Sequence, residues 1–106
     1  MKPAVAELAD ILEREAKRYV VVRVDAVKLQ EFGYSLEAAG EVYPEVVKEL
    51  KRRGLHVIRN PWGAGFIVAD DREVLRQIER SAKRVGLEAA LERAEPKARR
   101  GLRAKA

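Results

Sequence analysis

The chain predicts an α+β fold of order α-β-α-α-β-β-α that ends in a basic, disordered tail. Three observations lead there. Stretches with an apolar residue every three or four positions alternate with short β-branched runs. Two of those runs, 55–58 and Phe66–Ala69, flank a turn-rich heptapeptide, RNPWGAG, as a hairpin with a long loop would. The last eleven residues hold five cations, no acid and one large apolar side chain, a composition that does not fold alone. At 106 residues the chain is expected to form one domain over 1–95, with 96–106 as the tail.

The elements follow in order. Over 4–18, Val5, Leu8, Ala9, Leu12 and Ala16 share one helical face, and Pro3 suits the first turn, where a missing N–H costs nothing. YVVVRV, 19–24, is β-branched and of strand length. Asp25 can cap a short helix running to Phe32, with Gly33 as its stop. Ser35 can cap a longer one, in which Leu36, Ala39, Tyr43, Val46 and Leu50 keep period up to Gly54. Pro44 lies inside it. A proline in a straight helix costs about 3 kcal/mol and crowds the carbonyl four residues back, here that of Gly40. A bend or a division near 40–44 is therefore expected, with 45–53 as the well-formed part.

After the hairpin, Asp70 and Glu73 spell an Asp-x-x-Glu capping box. Val74, Leu75, Ile78, Ala82 and Val85 then describe another amphipathic helix. Gly86 either breaks it, so that its first half closes the core, or lets it continue through Leu87 and Leu91 to Ala94. A continuous helix would span about 37 Å at 1.5 Å per residue, too long for so small a head. Its surplus apolar stripe would then pair with a second copy, and a homodimer through the terminal helices is the expectation.

Helix, strand, two consecutive helices and a two-stranded hairpin make an order that resembles the winged helix-turn-helix DNA-binding domain superfamily over residues 4–85. The spelling VVKELKRRGLHVI looks like the end of a recognition helix entering the first wing strand, with Leu50 four residues before Gly54 and Leu55 directly after it. The resemblance implies that 41–53 lies in a DNA major groove. One feature departs from that pattern. Glu37, Glu41, Glu45 and Glu49 recur every four residues, an acidic stripe unsuited to phosphate, and only the last turn is basic. Pairs such as Glu45–Lys48 and Glu49–Arg52 or Arg53 would make that stripe an ordinary surface. Sequence-specific reading by the N-terminal half of this helix is not expected.

Net charge is +5, and its excess sits in two acid-free blocks, 51–69 and 96–106. That is the footprint of a protein meeting phosphate at two places. The candidate nucleic-acid contacts are Lys48, Lys51, Arg52 and Arg53 on the helix end, Arg59, Asn60 and Trp62 on the wing, and Lys97, Arg99, Arg100, Arg103 and Lys105 in the tail. Trp62 either stacks on a base, worth about 1–3 kcal/mol, or folds back over Val57 or Phe66. His56 is expected to be a strand residue without special chemistry.

Other chemistry is excluded more cheaply. There is no cysteine and a single histidine, so neither a disulfide, a thiolate metal site nor a histidine cluster can be assembled. NPWGAG lacks the lysine and following helix of a phosphate loop, and Asp70-Asp71 reads as a helix cap. Neither enzyme activity nor a cofactor is expected. The absence of a long apolar run points to a cytoplasmic protein, nucleoid-associated if it binds DNA, and the charge density leans towards a thermophilic source. The expected function is that of a DNA-binding transcription regulator or nucleoid-type protein, favouring duplex DNA over single strands or RNA. The alternative is a structural or assembly subunit of a ribosomal or transcription complex, docking on protein or structured RNA.

Overall fold

The computed structural model describes residues 3–94 and 96–102, without the side chains of Leu87 and Lys97. The chain runs α1 (Val5–Tyr19), β1 (Val21–Val24), α2 (Ala26–Glu31), α3 (Leu36–Arg52), β2 (His56–Arg59), β3 (Phe66–Ala69), α4 (Arg72–Arg93) and α5 (Pro96–Leu102). The class is α+β, with one three-stranded antiparallel sheet of order β1-β3-β2.

Successive side chains of a strand point to opposite faces, and both faces of this sheet are used. Val22, Val24, Phe66 and Val68 join Leu8, Leu12, Leu29, Val46 and Leu50 in a core beneath α1, α2 and α3. Val21, Ile67 and Ala69 point the other way, into a second core with Leu75 and Ile78 of α4 and Ala98 and Leu102 of α5. Val57 of the edge strand packs on the first core and Ile58 on the second. The molecule is therefore a sheet between two helical layers, and β3 is buried along its whole length.

Local signals account for most element ends. The Asp25 carboxylate accepts the Lys28 N–H at 3.0 Å and the Ser35 hydroxyl oxygen accepts the Ala38 N–H at 3.1 Å, so both expected caps are in place. The cap of α4 is shifted by one residue from expectation. Asp71, not Asp70, accepts from the Glu73 N–H, because the Asp70 N–H is engaged by the Val20 carbonyl beside β1. Pro44 does not divide α3, which is helical throughout from Leu36 to Arg52. Burial of Ala39, Val42, Val46 and Leu50 on one face offsets the lost hydrogen bond, and Gly40 lies on the exposed side with open space around it.

The C-terminal region differs most from expectation. Gly86, at φ +79° and ψ 179°, breaks α4 into two helices, so the continuous rod does not form. Leu75, Ile78 and Leu91 of the expected stripe are buried in the chain's own second core, while Val74, Ala82 and Val85 are half-buried. Segment 96–102, expected as flexible tail, is the helix α5. Ala98 and Leu102 are 4% and 1% exposed, and Gly101 lies directly against the Val21 backbone carbonyl.

That close approach gives a test with a decided sign. Alanine is normally worth about 1 kcal/mol more than glycine inside a helix. At position 101 a Cβ would be driven into the Val21 carbonyl, and backbone cannot swing aside as a flexible side chain does. Gly101→Ala is expected to lower unfolding free energy by about 2 kcal/mol in chemical denaturation. A gain would show that α5 does not dock.

Candidate nucleic-acid interface

The sheet order makes β2 an edge strand. In an antiparallel pair, bonded and non-bonded residue pairs alternate. The Asn60 N–H donates to the Gly65 carbonyl at 3.1 Å, which sets the phase for His56↔Ala69 and Ile58↔Ile67 as bonded pairs. The backbone groups of Val57 and Arg59 therefore face the free edge, away from β3. Two grooves border that edge. One of about 300 Å³, towards α3, is lined by Pro44, Val47, Lys51 and Arg59 among others. The other, of about 410 Å³ and towards α4, is lined by Lys51, His56, Arg72 and Arg76 with a single acid, Glu79.

Lys51, Arg59, Arg72 and Arg76 are exposed, and none makes an ion pair among the described residues. Lys51 and Arg59 were legible as site candidates. Arg72 and Arg76 were not, because they sit in a segment whose charges nearly cancel, 70–95. Only their spacing of four on α4, facing the edge of β2, sets them apart from their neighbours.

Other candidates are held elsewhere. Arg53 is a strut between α3 and α1. Its guanidinium meets Glu49 at 2.8 Å, Glu13 at 3.2 Å and Asp10, and it donates to the Ala6 carbonyl at 3.3 Å. Four acceptors occupy four of its five N–H donors and hold the side chain against α1. Arg52 remains exposed but is bidentate on Glu49, at 2.9 and 2.5 Å. The acidic stripe is thereby split. Glu49 serves the protein's own arginines, while Glu37, Glu41 and Glu45 are exposed, as is Lys48.

The wing tip is folded onto itself. Asn60 is buried, its amide N–H donating to the Ala64 carbonyl at 3.1 Å and its side-chain oxygen accepting the Trp62 N–H at 3.1 Å. Such a side-chain turn is the ordinary structural use of asparagine. Trp62 is half-buried against the second core, with its indole N–H buried and lacking a partner. It does fold back, but on the face of Ile58 and Ile67 rather than over Val57 or Phe66. Gly65, at φ +98°, lets the loop close onto the Val24 carbonyl. Asn60 is thus buried in the turn, and Trp62 leans on the sheet with part of its ring still accessible.

In the tail, Arg99 donates to the Glu92 and Ala94 carbonyls at 3.3 Å, satisfying the end of α4 as a basic residue near a helix C-terminus commonly does. Arg100 is exposed. The Lys97 side chain, Arg103 and Lys105 lie outside the described residues. Among those residues no group of three or more His, Cys, Asp or Glu could hold a metal, and no helix is long and apolar enough to cross a membrane. No protein-family model, curated protein or solved structure matches the chain.

Two outcomes are expected. Hydrogen bonds from Arg52 and then Arg53 hold the Glu49 carboxyl at about 2, against an ordinary 4.5. A depressed carboxylate stabilises the fold above its unfolded value and loses that contribution as pH falls towards the folded one. Denaturation midpoints should therefore drop between about pH 4.5 and pH 2 in the native chain, and drop less in Glu49→Gln. For Trp62→Ala, a stability loss of about 2 kcal/mol is expected, on the scale of partly buried aromatic truncation. Its nucleic-acid affinity should stay within about twofold of the native chain, because the half-buried indole packs against the second core and lines neither groove.

Proposed function

We propose that this chain is a winged helix-turn-helix protein that binds duplex DNA by its phosphate backbone, as a nucleoid-type protein or a regulator of low sequence selectivity. The observation that carries the reading is the cluster of four cations, Lys51, Arg59, Arg72 and Arg76, without an ion pair among the described residues, about the free edge of β2. Support for the fold comes from the order α1-β1-α2-α3-β2-β3 with β3 central, and from α2 and α3 being joined by the short turn 32–35.

The partner follows from what this surface lacks. Binding of single strands draws on aromatic platforms for unpaired bases. Trp62 is half-buried against the second core. Tyr43 and Phe66 line the groove towards α3, but they are half-buried and buried and pack edge-on against each other at 6.0 Å. The exposed charged groups of the two linings are all cations, which suits the continuous phosphates of a duplex. Base reading by the first turns of α3 is opposed by exposed Glu37, Glu41 and Glu45, which would face phosphate at close range. The same acids favour a second reading, in which the N-terminal half of α3 docks on a basic protein within a larger assembly.

Each phosphate contact lowers the slope of log K against log salt by about 0.9 for duplex DNA. Arg72→Ala/Arg76→Ala should therefore flatten the slope by roughly 1.8 and weaken binding to all sequences alike. Arg14→Ala, an exposed cation on α1 outside both grooves, should leave the slope unchanged. Fluorescence anisotropy across a salt series reads both. No measurable duplex binding, or equal slopes in all three proteins, would remove this reading.

A further inference from the structure

The break at Gly86 folds the second half of α4 back towards the first, and α5 closes over the junction. Between them lies a cavity of about 140 Å³, open to solvent on one side. This is close to the roughly 150 Å³ of an apolar cavity that accepts a benzene ring. Its apolar wall is Val74 and Ile78 from the first half of α4, Ala90 and Ala94 from the second, and Ala98 from α5. Small alanines face larger branched residues, and that pairing leaves the space empty.

The polar lining is sparse and one-sided. Among the described residues of the lining, Gln77 and Ser81 supply neutral hydrogen-bonding groups, Arg93 supplies the only charge, and there is no acid. Arg93 makes no ion pair among the described residues. The backbone is also unusual at this point. Val20, which lines the cavity, is the one non-glycine residue with positive φ among the described residues, at +74°. A β-branched residue in that region is strained, and such strain gathers at ligand sites.

We propose that this cavity binds a small monocarboxylate with an apolar body of about six carbons, the body between the two halves of α4 and the carboxylate on Arg93. An apolar pocket with a few convergent polar groups is the usual form of a small-molecule site. The sign of the ligand follows from Arg93 being the one charged residue among the described residues of the lining. The size follows from the volume. The cavity is on the opposite side of the first half of α4 from Arg72, Arg76 and Glu79, so the inference stands independently of nucleic-acid binding.

The test titrates the full chain with benzoate and cyclohexanecarboxylate, and in parallel with the neutral benzyl alcohol and the cationic benzylamine, followed by calorimetry or ligand-observed NMR. Saturable carboxylate binding with Kd at or below about 1 mM is expected, a value in keeping with so few heavy atoms. The alcohol should bind at least tenfold more weakly, and the amine not at all. Arg93→Gln, a change at an exposed side chain, should bring benzoate down to the level of the alcohol. Ala94→Leu should fill the cavity and abolish binding of every probe, and Arg93→Gln alone decides the matter should that variant fail to fold. Absence of saturable carboxylate binding in the native chain, or benzoate affinity unchanged by Arg93→Gln, would overturn the proposal.

Discussion

The central strand β3 cannot leave either face in water. All four of its residues, Phe66–Ala69, are apolar and buried, and the pleat sends them alternately to opposite sides. One helical layer could cover only half of them. Much of the molecule answers that constraint: α1, α2 and α3 close over Phe66 and Val68, while α4 and α5 close over Ile67 and Ala69. The break at Gly86 and the docking of α5 follow from the second requirement. A straight α4 would carry Leu91 away from the sheet, whereas the break returns it to the core at 4% exposure.

The same constraint shapes the candidate interface. With β1 and β2 on its two sides, β3 is fully paired, and the free edge beside the two basic grooves is that of β2. The second core also claims Trp62, which might otherwise have been the wing's contact residue, and Asn60 locks the turn that delivers it. What remains outward along the two grooves is a set of guanidinium and ammonium groups, with Glu79 as the one carboxylate among the described residues of their linings. Charges placed this way fix position along a phosphate backbone more than they read a base. Arg53, two residues from Lys51, instead joins α3 to α1 through Glu49, Glu13 and Asp10.

The layer on the α1–α3 side was legible because its signals are local. Caps at Asp25 and Ser35, stops at Gly33 and Gly54, and β-branched runs of strand length each speak for their own segment. The opposite layer was legible only in part. FIVA reads as a continuous apolar run, and such a run indicates burial on both faces without saying what provides the second cover. The provider, 96–102, is cationic in composition and carries just Ala98, Gly101 and Leu102 as packing residues. Its helix is stable through those contacts and not through propensity, so composition pointed to a tail. Trp62 was ambiguous for a related reason: a tryptophan between proline and glycines is compatible with exposure or burial until the opposite layer is known. Arg72 and Arg76 were hidden by the near-neutral balance of segment 70–95, since charge counted along a sequence does not resolve the face of a helix.

The proposed DNA surface is the edge of β2 with the cations around it. Amide chemical-shift mapping of the isotopically labelled chain with a short duplex of mixed sequence reads this surface residue by residue. Shifts are expected at Lys51, His56–Arg59, Arg72 and Arg76, with little change along Glu37, Glu41 and Glu45 or at the Trp62 indole N–H. Shifts centred on the N-terminal half of α3 or on the indole, or none at a saturating concentration of duplex, would contradict it.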